Sequence, residues 1–129
     1  MNANEFLLSL KSRIAPAERS ALRDNTLSHI SRYNRDTLLR MLDMEEAGPK
    51  PVDAARAKAL HAALGDYLNR YMPEAPEAHR WIILACLFLA LVAEEPMHPR
   101  AIVGWEQTEG GYICPAREEA GICQWCVCR

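Results

Sequence analysis

The stretch YICPAREEAGICQWCVCR, residues 112–129, carries Cys114, Cys123, Cys126 and Cys128. Their spacing is C-x8-C-x2-C-x-C. Four thiolates complete the tetrahedral shell of a metal ion, and such sites order short loops that have little core of their own. Few aliphatic residues surround these cysteines, so the energy that folds the segment has to come from another source. We expect a metal bound by all four. Zinc sites commonly pair two C-x2-C knuckles, and Cys123 with Cys126 supplies one. The ferredoxin run C-x2-C-x2-C-x3-C is absent. Zinc is therefore expected ahead of an iron–sulfur cluster, which the same thiolates could also hold, since structural zinc tolerates varied loop lengths. Free thiols are the bland alternative.

His98 belongs to the same chemistry. In EEPMHPR it stands just before Pro99 and two residues after Pro96, so its backbone is restrained. It could replace one cysteine as a ligand, orient a ligand from behind, or cap the preceding helix, whose C-terminal end favours positive charge. Cys86 falls inside the apolar run WIILACLFLALVA, where a buried, inert thiol is expected. His29, His61 and His79 are expected on solvated helix faces. Trp125 would shield the metal or present an aromatic surface to a partner. No Gly-rich phosphate loop, Ser-His-Asp order or H-E-x-x-H motif occurs.

The elements that must position these groups read as helices. Phe6, Leu7, Leu10 and Ile14 lie on one face of a first helix over residues 3–14. Pro16 suits the first turn of a second, running from about Ala17 to Tyr33 with Leu22, Leu27, Ile30 and Tyr33 inward. Asn34 or Asp36 would cap a short third helix through Leu38, Met41 and Leu42. The AGPKP stretch breaks the chain there, as a loop and not a domain boundary. Asp53 caps a fourth helix whose stripe is Leu60, Leu64, Tyr67, Leu68 and Tyr71. A fifth helix is apolar on all sides from Trp81 to Ala93, so it should be surrounded by the others. Beyond Pro99, AIVGWEQTEGGYIC reads as a hairpin about Glu109-Gly110-Gly111 that leads to Cys114.

The fold expected is thus all-α: one domain over residues 1–129, with about five helices. A small β-hairpin leads into its Cys-rich metal-binding tail, residues 100–129. A net charge of -2 argues against a nucleic-acid partner. The apolar run of WIILACLFLALVA falls short of the roughly twenty residues a membrane span needs, so no membrane is expected. MNANEFLLSLKSR has no basic residue before its apolar run and no small-residue cleavage site after it. A cytoplasmic location follows, where clustered thiols bind metal or do redox chemistry.

Four stretches, LHAALGDYLNRYMPEAPE, FLALVAEEPMHPR, GGYICP and GICQWCVC, resemble an archaeal family found mainly in methanogens, the domain of unknown function 2115. They cover roughly the second half of the chain, whereas the first half agrees only in helical character. In that family a second proline often follows the His-Pro pair; here Arg100 stands in its place. The resemblance implies a cytoplasmic, methanogen-type setting and no mechanism. Function is therefore expected to be that of a metal-binding protein, an accessory or assembly factor for a larger protein partner. The alternative is an iron–sulfur or redox-active protein, or an enzyme that uses the Cys-bound metal.

Overall fold

The computed structural model describes residues 1–97, together with the backbone of residues 106–108 and 111–113. Five α-helices make up most of the described chain: α1 (Ala3–Ser12), α2 (Pro16–Arg23), α3 (Arg32–Asp43), α4 (Ala54–Tyr71) and α5 (Pro76–Phe88). A π-helical turn, Leu89–Ala93, continues α5. Strands β1 (Glu106–Thr108) and β2 (Gly111–Ile113) pair antiparallel, Gln107 opposite Tyr112. The turn between them and the run on to the cysteines lie outside the described residues.

Local chemistry explains where most helices start. Asn2 accepts from the Glu5 amide at 2.8 Å while Glu5 accepts from the Asn2 amide, so two otherwise unsatisfied donors are covered at once. At α2, Pro16 takes the first turn as the sequence implied. Ala15 has no side-chain acceptor, and only the reciprocal half of such a cap forms, from the Ala15 amide to Glu18 at 3.0 Å. Asp53 caps α4 through the amides of Ala55 and Arg56 at 2.9 and 3.3 Å.

The second helix is shorter than its periodicity suggests, and this corrects the expectation of a helix to Tyr33. It stops at Arg23, Asn25 turns left-handed (φ 56°), and the chain crosses to Ser31, which caps α3 through the Asn34 amide at 3.1 Å. Neither Asn34 nor Asp36 is the cap. Asparagine tolerates the left-handed region better than most residues, so the break is cheap at that position. Arg35 then reaches back from α3 to the carbonyls of Leu22 and Arg23 at 2.8 and 3.2 Å. The two helices are tied where one long helix was expected. The first helix also closes early, at Ser12, leaving Ile14 buried beyond its end.

The AGPKP loop is stitched onto the start of α1. Ala3 donates to Lys50 O at 2.6 Å, Asn4 to Gly48 O at 3.2 Å, and Val52 to Met1 O at 2.8 Å. Gly48 has φ 86°, a backbone state that costs glycine least. Among the described residues one hydrophobic cluster spans both sides of this loop, joining Leu7 and Leu10 to Leu38, Leu60, Leu64 and Phe88. Each such side chain, fully buried, contributes about 1.5–3 kcal/mol relative to exposure.

At the centre of that cluster, α5 packs against α4, α3 and α1. Trp81, Leu84, Ala85, Leu87 and Phe88 are buried, but Ile82, Ile83, Leu91 and Val92 are half-buried, so the helix is not covered equally on every side. Continuous with its π turn, Pro76–Ala93 is long and apolar enough to cross a membrane, with a mean hydropathy of 1.5. That is longer than the apolar run read from the sequence, and half of the stretch is buried within the fold.

Arg80 of α5 forms an ion pair with Glu18, accepted in part at 2.8 Å, and donates to the Arg13 carbonyl. The Arg80 hydrogen bond, helped by the Ala15 amide, holds the Glu18 carboxyl down from 4.5 to about 2. A depressed carboxylate stabilises the fold above its unfolded pKa, and that stability is lost as pH falls through the folded value. The pair is partly solvated, so solvent screening reduces its worth to about 1 kcal/mol or less at neutral pH. Glu18→Gln should therefore lower the urea midpoint modestly at pH 7. The gap to wild type should close between about pH 4.5 and pH 2, measured by parallel urea titrations.

Candidate functional site

Cys114, Cys123, Cys126, Cys128, His98 and Trp125 all lie outside the described residues. What the structure describes is the base from which the chain departs toward them. Glu94 ends the π turn in a left-handed conformation (φ 54°), and the Glu95 amide donates to Leu89 O at 2.8 Å. The Glu95 carboxylate meets Arg40 of α3 through both oxygens, one at 3.1 Å, and Glu94 pairs with Lys50. Arg40 also stands over the Phe88 ring, 5.5 Å from its centre. Its hydrogen bond holds Glu95's carboxyl below the usual carboxylate range and raises the guanidinium's own pKa in return.

Both Glu94 and Glu95 pairs are roughly half exposed, so each contributes at most about 1 kcal/mol. Apolar burial does more. Met97 is 8% exposed, and burying a methionine side chain stabilises by about 1.5–3 kcal/mol. Its carbonyl accepts from the Cys86 thiol at 4.0 Å, and the Pro96 carbonyl from the Tyr33 hydroxyl at 3.4 Å. The four residues before His98 are thereby held by α3, the loop at Lys50, and α5.

Met97 also lines a groove of about 740 Å3 between α3, α4 and α5. Tyr33, Tyr67, Met72, Ile82 and Cys86 form its apolar wall, and Ser31, Arg32, Asn34 and Asp36 form a polar rim. The Tyr67 and Tyr71 rings stack at a tilt, 4.8 Å apart. Tyr71 was expected to face inward with the rest of its stripe, yet it is 47% exposed, because α4 ends there and Met72 leaves helical geometry. Period alone placed it on the buried face; the length of the packed interface moved it out. The sequence therefore did not single out this wall, whose tyrosines read there as core.

The remaining titratable groups do not converge on the groove as an acid–base pair. His29 sits in the crossing between α2 and α3, not on a helix, with φ 58°, and faces Glu77 at 3.3 Å. His79 is half-buried, with Nε2 2.7 Å from the Met72 carbonyl, so it ties the turn between α4 and α5 instead of being merely solvated. His61 is exposed, as expected. Cys86 is 6% exposed, in line with a packed thiol. Among the described residues no three His, Cys, Asp or Glu side chains gather as metal ligands. The groove can receive apolar surface.

A family model for an uncharacterised protein conserved in archaea, DUF2115, matches residues 1–129, the Cys-rich end included. No curated protein and no solved structure matches the chain.

Cys86 is packed in the core, and its thiol donates to the Met97 carbonyl. Cys86→Ser should destabilise the fold by about 1–2 kcal/mol through a buried hydroxyl, a shift that urea denaturation of the two proteins side by side measures.

Proposed function

The chain belongs, along its whole length, to the archaeal family DUF2115, and from that premise we propose that it is a cytoplasmic metal-binding helical protein. In this reading Cys114, Cys123, Cys126 and Cys128 hold one zinc ion as four thiolates. The observation that carries it is their density, four thiols spaced C-x8-C-x2-C-x-C at one end of a chain with net charge -2. Thiols this close in a reducing compartment need a metal or a redox task to account for them. Zinc would supply folding energy to a segment poor in aliphatic residues, and no redox chemistry. On this proposal the β-hairpin would carry Cys114 toward the other three, and His98 would stand near the metal as a neighbour that orients a ligand.

A role as an accessory or assembly factor for a larger protein is supported by two features. No acid–base pair converges among the described residues, and Trp125 lies within the ligand run, where an aromatic surface suits a partner. The same thiolates could hold an iron–sulfur cluster, which would move the function toward electron transfer.

Protein purified without oxygen should be colourless and contain about one zinc per chain. A brown sample with absorbance near 400 nm (roughly, from thiolate-to-iron charge transfer), iron and inorganic sulfide would overturn the zinc assignment. Neither metal at meaningful occupancy would leave free thiols and end the proposal. Within the zinc reading, Cys126→Ser should lose most of the bound metal and His98→Ala much less; equal, complete loss would make His98 a ligand. Chelation should remove the metal while the far-UV circular dichroism of the helical body persists. The partner role predicts co-purification with a larger protein from the native host, abolished by truncating the last residues. Turnover of a small substrate by the isolated metal-replete protein would instead favour an enzyme.

A further inference from the structure

The basic residues of the helical body are mostly engaged. Arg23 pairs with Asp43, Arg40 with Glu95, Lys50 with Glu94 and Arg80 with Glu18, while Lys11 and Arg19 donate to backbone carbonyls. Arg13, Lys58 and His61 are different. None has an ion pair or side-chain hydrogen bond among the described residues, and all three border one crevice between α1 and α4. From α1 come Phe6 and Ser9, with Arg13 just past its end on the same face; from α4 come Ala54, Ala57, Lys58 and His61, again one face. Leu87 of α5 contributes to the floor, 2% exposed, and Phe6 is 5% exposed. The short side chains of Ala54 and Ala57 leave the space open. No carboxylate lines it.

We infer that this crevice is a binding site for a small amphiphilic anion, a carboxylate on a short apolar body. An apolar floor with three basic groups at the edge offers burial to one end of such a molecule and charge to the other. The lone Arg13 and Lys58 side chains, two cations meeting at one apolar crevice, are the specific feature, because most other guanidinium and ammonium groups of the helical body find partners within the fold. Charge-assisted hydrogen bonds from Arg and Lys to a carboxylate are roughly twice as strong as neutral ones. The start of α4 is not the attraction, since Asp53 already satisfies its first amides. At about 230 Å3 the space is below the roughly 300–1,000 Å3 of drug-sized pockets, which restricts the ligand to a short chain. The crevice shares no lining residue with the groove beside Met97.

Sodium hexanoate is a suitable probe, titrated into the 15N-labelled full chain as purified, with hexanol and inorganic phosphate as controls. Saturable amide shifts confined to α1 and the first half of α4, with a Kd in the millimolar range or tighter, are expected for hexanoate. Both controls should bind at least about tenfold more weakly, because each supplies half of the match. Arg13→Gln with Lys58→Gln, two exposed substitutions, should weaken hexanoate about tenfold or more with the circular dichroism unchanged. Ala57→Leu should block the floor and abolish the shifts. Non-saturating shifts, hexanol binding as tightly as hexanoate, or unaltered affinity in the double variant would each overturn the inference.

Discussion

An apolar helix that must be kept from water organises everything else in this chain. From Trp81 to Phe88, α5 offers water almost nothing but hydrocarbon, and burial of such surface is the dominant favourable term in folding. The stripes of α1, α3 and α4 are answers to that demand. Leu7, Leu10, Leu38, Met41, Leu60 and Leu64 have essentially no exposure because each faces this helix or its immediate neighbours. The polar ties between helices, such as Arg35 to the end of α2 and Arg80 to Glu18, sit around the edge of this core. They orient the helices more than they hold them together.

The same helix determines where the chain leaves the helical body toward the tail cysteines. Its π turn and the left-handed Glu94 redirect the chain, and burial of Met97 fixes the departure point. Extra residues in a helical turn of this kind often accompany functional positions, because they shift the side chains that follow. Here the consequence is specific. Pro96 and Met97 offer their carbonyls to Tyr33 and Cys86, so a metal-binding end would start from a fixed anchor on the helical body.

Two kinds of surface are left on that body. The groove beside Met97 is walled by aromatic and sulfur-containing side chains with few charges, and it suits apolar material. The crevice between α1 and α4 combines an apolar floor with unpaired cations. They differ because α5 meets its neighbours differently along its length. Near Leu87 the approaching faces carry alanines and long basic side chains, whereas near Ile82 they carry tyrosines and methionines.

Much of this was settled by local chemistry alone. Asp53 as the cap of α4, Pro16 in the first turn of α2, the Leu60–Leu64–Leu68 stripe and the apolar run of α5 are short-range facts, legible from residue type and spacing. So is the density of cysteines that singles out the metal-binding candidates, although no contact in the described residues bears on them. The tertiary structure decided what spacing could not. A helix from Ala17 to Tyr33 satisfied the periodicity, but Arg35 gives the carbonyls of Leu22 and Arg23 partners from across the fold, and that makes a break at Asn25 affordable. Tyr71 kept its place in the pattern and lost its burial because the packed interface ended first. Arg13 and Lys58 are ordinary surface residues as letters, forty-five positions apart in number. Only the packing of α1 and α4 against α5, with Leu87 between them, brings these two residues to one crevice, because pattern records the face of a helix and says nothing of which other face it meets.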